Sequence, residues 1–226
     1  MATKITLFIM FIAAMFLMSF RHNRKRKVIF FGDSITEQGA KPGGYIKLME
    51  LLVKQDGLED NFFLQGAGVS GNKIYDLYLR LEEDIMQHSP AIVVIYIGIN
   101  DIWHKSLLGT GTDIETFGKF YEKLVTKLQA ANIKVVICTP TLIGENKNDS
   151  NPLNEELDEF SNWIRNFATK NNLPIVDLRK AFIQYNFEHN IENVEAGILT
   201  TDTVHLNAKG NELVAKHIWT VLKEVK

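Results

Sequence analysis

The stretch that decides the fold is "KVIFFGDSITEQG", Lys27 to Gly39. Val28–Phe31 is an unbroken apolar run that stops on Gly32, Asp33 and Ser34. A strand covered on both faces reads this way, because neither face meets water. Such strands belong to parallel sheets, whose ligands sit beyond the carboxyl ends of the strands. A small residue, an acid and a hydroxyl therefore stand where a site is expected.

Outward from this stretch, strand and helix signals alternate. "FFLQ" (Phe62–Gln65), "AIVVIYI" (Ala91–Ile97), "VVIC" (Val135–Cys138) and "PIVDL" (Pro174–Leu178) read as four further strands, the third of the five central and fully buried. Helical spacing joins Ile46, Leu48, Met49, Leu51 and Leu52 within residues 44–55, then Ile74, Leu77, Tyr78, Leu81 and Ile85. It returns at Phe117, Phe120, Tyr121, Leu124, Val125 and Leu128, and at Leu157, Phe160, Ile164 and Phe167. Asn207 is placed to cap a last helix containing Val214, Ile218, Val221 and Val225. This alternation predicts right-handed crossovers and an α/β domain over residues 28–226, built on a five-stranded parallel sheet.

The chain has 226 residues, 46% of them hydrophobic, enough for one domain with a real core. Its single cysteine, Cys138, excludes an internal disulfide framework, and no Cys/His cluster has zinc spacing. The reading calls for no metal and no cofactor. Net charge is −2, but residues 1–27 hold six basic residues (Lys4, Arg21, Arg24, Lys25, Arg26, Lys27) and no acid. The rest carries 19 basic against 27 acidic residues. Such a domain repels phosphate backbones, so nucleic acid is not expected as a partner.

Ile5–Phe20, "ITLFIMFIAAMFLMSF", is a separate apolar run of 16 residues followed by "RHNRKRK". It is short for a spanning helix, which needs about 20 residues, and suits a signal-peptide core. The basic flank suits an uncleaved anchor held on its cytoplasmic side. Either way, export or membrane association through residues 5–20 is expected. No cysteine near residue 20 offers a lipid attachment site.

The segments after the strands should share one rim: "GDSIT" (Gly32–Thr36), "GAGVSGN" (Gly66–Asn72), "GINDIWH" (Gly98–His104), "TPTLIG" (Thr139–Gly144) and "TDTVHLNAKG" (Thr201–Gly210). Ser34 at such a place is an ordinary helix cap unless a base removes its proton. Asp202 and His205, three residues apart, can supply base and orienting acid, but so can Asp101 and His104 at the same spacing. Sequence spacing does not choose between the two histidines. His22, His88, His189 and His217 lack a rim position. Gly71 can present a backbone N–H and Asn100 a side-chain amide to a negative oxygen, beside the Ser34 amide. Both residues also suit simple turns.

In this order, "GDSIT", "GVSG", "GIND" and "DTVHLNAKG" resemble the SGNH (GDSL-type) hydrolase superfamily over residues 28–226. The resemblance implies a flavodoxin-like, three-layer α/β/α fold and ester hydrolysis without metal. It assigns Ser34 as nucleophile, Asp202 and His205 as its partners, and Ser34, Gly71 and Asn100 as oxyanion donors. Asp33 would brace the loop. The second block of this family often opens with Asn, where this chain has Gly66. The motif is not the Gly-x-Ser-x-Gly elbow of other hydrolases, because position 36 is Thr.

Trp103, His104 and Tyr75, with Asp33, are the candidates for contact with substrate, and the polar segment Gly144–Pro152 is expected to form a wall. The expected substrate is a short-chain or carbohydrate acetyl ester. Lipolytic chemistry of lysophospholipase or thioesterase type is the alternative. A non-catalytic module holding FMN, phosphate or a glycan on the same fold is a third reading.

Overall fold

At the centre of the molecule lies β3 (Ile92–Tyr96), all five of whose residues are buried. The computed structural model describes residues 25–147 and 151–226. β1 (Arg26–Gly32) and β4 (Lys134–Cys138) pair with β3 on either side, β2 (Phe62–Gly68) lies outside β1, and β5 (Ile175–Val176) lies outside β4. All four pairings are parallel, so the order is β2-β1-β3-β4-β5.

Handedness then fixes the layers. The crossover from β1 to β2 runs one way across the sheet and each later crossover runs the other way. Right-handed connections therefore put α2 (Tyr45–Gln55) on one face. They put α3 (Ile74–Asp84), α5 (Ile114–Ala130) and α6 (Asn154–Asn171) on the other. The packing agrees: α8 (Ala208–Leu222) lies along α2, while α3 and α6 both touch α5. The order reverses direction between β1 and β3, which opens a crevice at their carboxyl ends.

Both layers bury apolar side chains in one core, and each adds contacts of its own. Between α5 and α6 the side chains of Phe117, Tyr121, Phe160, Trp163 and Phe167 form an aromatic cluster. Phe117 and Phe160 stand 4.7 Å apart, and Trp163 stacks on Phe167 at 5.0 Å. Between α2 and α8 two hydrogen bonds are added to the apolar packing. The Tyr45 amide donates to Asn211 Oδ1 (2.9 Å), and the Trp219 indole donates to Asp56 Oδ2 (2.9 Å).

The five strands and the helices with clean apolar spacing lie where the sequence predicts, with shifted ends. β1 starts at Arg26, so Arg26 and Lys27 of the basic flank belong to the sheet. β2 continues to Gly68, taking in the start of "GAGVSGN". Three helices were not expected: α1 (Ser34–Gly39), α4 (Ile99–Leu108) and α7 (Leu178–His189). The first two occupy segments read as loops. The apolar segment 5–20 and its expected role lie outside the described residues. Among the described residues, no helix is long and apolar enough to cross a membrane.

Gly66 is a filled position. A Cβ built there would lie 2.8 Å from Ala40 Cβ and 3.2 Å from Ile46 Cδ1. The missing side chain lets the end of α1 and the start of α2 pack closely on β2. Gly66→Asn is therefore expected to destabilise the fold by about 1–3 kcal/mol, as overpacking does, measured by urea unfolding.

Asp101 on α4 ties two elements together. Its Oδ1 accepts from the Ile74 amide (3.2 Å) at the start of α3, while Oδ2 and the Thr112 hydroxyl are both buried without a partner among the described residues. Burial pushes the Asp101 carboxyl up to about 7, against the pull of the neighbouring Thr112 hydroxyl and the Ile74 amide. The ordinary value is 3.8, so the folded state holds the extra proton between the two. The associated stability is full below about pH 4 and is lost as pH rises towards 7. Asp101→Asn is expected to flatten this slope and to be about 1–3 kcal/mol more stable than wild type near pH 8, by urea unfolding at several pH values.

Candidate active site

Ser34 sits at the carboxyl end of β1 and is the first residue of α1. Its amide is among those a helix leaves without an internal acceptor. Asp33 caps the helix, with Oδ1 accepting from the Ile35 amide at 3.0 Å. Asp33 is 2% exposed, and burial pushes its carboxyl up to about 7, against the Ile35 amide and the nearby His205. Its contacts are with the backbone of the turn, which is a bracing position rather than an open face of the rim.

The segment before α8 brings a carboxylate and an imidazole to Ser34. His205 Nε2 lies 2.9 Å from Ser34 Oγ, and His205 Nδ1 lies 2.7 Å from Asp202 Oδ2. The other oxygen of Asp202 accepts from the amides of His205 (2.7 Å) and Val204 (3.2 Å). Burial raises the Asp202 carboxyl, but these amides and the ring outweigh it and hold the group below its ordinary 3.8. An ionised carboxylate can only accept, so the Nδ1 proton belongs to the ring, and Nε2 is left to accept from the Ser34 hydroxyl.

The other pair of equal spacing does not assemble. Asp101 is turned inward to Ile74, and His104 lies beside Gly71, its Cε1 3.8 Å from where a Gly71 Cβ would stand. Burial, and then the Lys73 charge, hold the His104 imidazole below its ordinary 6.5. Of the remaining histidines, His189 bonds the Tyr185 carbonyl, His217 lies within α8, and His22 is outside the described residues.

Two segments follow the strands on either side of β1, at the same end of the sheet as Ser34. Gly71, after β2, has φ +80°, a left-handed conformation that glycine adopts without strain. Asn100 lies in the first turn of α4 after β3, and one of its Nδ2 hydrogens goes to the Asn72 carbonyl (3.1 Å). That bond fixes the amide plane and leaves a second N–H for a ligand. The Trp103 ring lies edge-on to His205 at 6.5 Å and 5.9 Å from the ring of His104, so Trp103 borders the imidazole and His104 lies beyond it. Tyr75 instead packs edge-on to Phe120, with the Lys73 ammonium 5.4 Å from its ring.

Sequence reading missed the residues that fasten these segments. The Arg80 guanidinium donates to the Gly32 carbonyl (2.8 Å), the Ala67 carbonyl (3.0 Å) and Asn72 Oδ1 (2.6 Å). It thereby staples the ends of β1 and β2 to the Asn100 acceptor. Glu37 Oε2 accepts from the Ser70 amide (2.9 Å) and hydroxyl (2.6 Å), tying α1 to the Gly71 turn. In sequence both look like ordinary solvated charges, because their partners are mostly backbone groups that no residue type marks. The polar wall expected at Gly144–Pro152 needs correction at its start. Gly144 and Glu145 are buried, and residues 148–150 lie outside the described set.

The chain matches the GDSL-like Lipase/Acylhydrolase family over residues 30–213. It is 28% identical to an acetylxylan esterase of Geobacillus stearothermophilus over 205 residues, 84% of this chain and 90% of that protein. A solved acetyl xylan esterase, AlAXEase, is 52% identical, with a TM-score of 0.84 over 86% of this chain and 98% of its own. Solved structures of the G. stearothermophilus enzyme include catalytic mutants in which a serine, a histidine or an aspartate is replaced by alanine. The histidine mutant is 25% identical to this chain, with a TM-score of 0.75 over 87% of this chain and 94% of its own. The family match spans the sheet from β1 into α8, so the chain belongs to the GDSL-like lipase/acylhydrolase family of SGNH hydrolases and is an ester-hydrolysing enzyme.

Proposed function

We propose that this enzyme removes acetyl groups from carbohydrate esters through an acyl-enzyme on Ser34. The observation that carries the reading is the unbroken line Asp202 Oδ2, His205 Nδ1, His205 Nε2, Ser34 Oγ, with links of 2.7 and 2.9 Å. Ser34 Oγ attacks the acetyl carbonyl while Nε2 takes its proton. The carbonyl oxygen becomes negative and accepts from the amides of Ser34 and Gly71 and the free N–H of Asn100. The imidazolium, steadied by Asp202, returns its proton to the departing sugar hydroxyl. Water, deprotonated by the same nitrogen, then releases acetate and restores Ser34.

Two observations support the substrate class. The acetylxylan esterases align over most of this chain. The Trp103 ring stands edge-on to the His205 imidazole, a bulky neighbour beside the nucleophile that favours acetyl over longer chains.

Ser34→Ala and His205→Ala are each expected to lower kcat for p-nitrophenyl acetate by at least about 10³-fold, and Asp202→Asn by less. Asn100→Ala is expected to cost about 10²–10³-fold in kcat, as removal of one oxyanion donor does. Circular dichroism checks that each variant is folded. A folded Ser34→Ala protein with wild-type turnover would overturn the mechanism. A panel of acetylated xylo-oligosaccharides and p-nitrophenyl esters of rising chain length tests the substrate class. A preference for long acyl chains would move it to the lipolytic alternative.

A further inference from the structure

We infer that Glu145 is a positioning residue for His205, acting through the backbone of residues 198–200. The inference rests on the assignment of His205 and Asp202 as base and orienting acid. The segment between α7 and α8 has no helix or strand, only an isolated antiparallel bridge between Thr200 and Leu206. That bridge, with the Thr201 amide donating to the His205 carbonyl (2.8 Å), closes residues 200–206 into a small loop. Closure fixes the shape of the loop. It does not fix where the loop stands relative to Ser34, which rides on β1.

The link to the sheet comes from the run after β4. Residues 139–145 are buried throughout, and they end on Glu145, a fully buried carboxyl group. Glu145 Oε1 accepts from the amides of Leu199 (2.7 Å) and Thr200 (2.5 Å), and Oε2 accepts from the Ile198 amide (2.7 Å). Three donors on one carboxyl replace the water it has lost and hold a segment with no ladder of its own. The Glu145 backbone is fastened in turn. Its carbonyl accepts from the side-chain amides of Asn186 (3.2 Å) and Asn190 (2.8 Å), and its own amide donates to the Glu195 carbonyl (2.8 Å).

A neighbouring bond reaches the tip of the loop. The Gly144 amide donates to the carbonyl of Thr203, which lies between Asp202 and His205 and has φ +81°. A β-branched residue rarely adopts that conformation, and it persists only where the surroundings impose it. Gly144 and Glu145 together clamp the base and the tip of the loop to β4, which is one strand away from β1 across β3.

Glu145→Gln isolates the effect. An amide keeps the shape but has one acceptor oxygen where the three N–H groups need two, so a donor faces a donor. In the full chain, kcat for p-nitrophenyl acetate is expected to fall about 10–100-fold, with KM within about twofold, as misplacement of a catalytic group predicts. The downfield proton resonance of His205 Nδ1–H is expected to weaken or vanish, a change that a merely stabilising role would not produce. A folded Glu145→Gln protein with kcat within about twofold of wild type and that resonance intact overturns the inference.

If the variant does not fold, amide hydrogen exchange in the wild type decides. Protection of Ile198, Leu199 and Thr200 comparable to β3 upholds the inference, and exchange as free as an exposed loop ends it. A wild type that hydrolyses no ester defeats the functional reading alone, because the resonance and the exchange pattern still test the clamp.

Discussion

The 2.9 Å contact between His205 Nε2 and Ser34 Oγ is the constraint around which the molecule is arranged. It joins residues 171 positions apart in sequence, and neither partner lies in the same element as the other. Ser34 is fixed by the sheet, because β1 is inside it with β2 and β3 on either side. His205 is fixed by an irregular loop, held by hydrogen bonds to backbone and by the buried side chains of Leu199, Val204 and Leu206. The two halves are therefore held by different means. The loop has no ladder of its own, so its hold depends on the Glu145 carboxylate, which takes the amides of Ile198, Leu199 and Thr200.

The neighbouring segments follow a common design. β1, β2 and β3 each lead into one of the site's groups, and these groups are steadied by residues whose own heads are tied largely to backbone. Arg80 steadies Asn72 and through it Asn100, and Glu37 steadies the turn that holds Gly71. Asp202 is steadied by the amides of the residues it serves. Charge is used here to fasten chain to chain at short range, and the attacking hydroxyl itself meets an imidazole.

What was legible in the sequence follows from what burial demands. β1 and β3 lie under helices on both faces, so their composition is almost wholly apolar and their position can be read from four or five residues. The crevice was legible for the same reason: it must open where those runs stop. α7 was not legible because its pattern is inverted. Arg179 and Asn186 are buried in it while Ile183 and Phe187 are 45% and 71% exposed. α1 and α4 were read as loops because their first turns carry the site's own polar residues, Ser34 and Asn100, where an apolar stripe would otherwise start. The choice of His205 over His104 needed either family resemblance or coordinates, since both carry an aspartate at the same spacing.

The wide separation of the two partners has a consequence for how activity arises during synthesis. All five strands are complete by Val176, so a ribosome that has released that much chain has delivered a whole sheet with its hydroxyl in place and nothing to ionise it. The base arrives 29 residues later, with the last helix behind it. An early stop codon or a frameshift in that interval yields a chain with every strand and no chemistry. Immunodetection would count such a product as enzyme, and only turnover would reveal the loss.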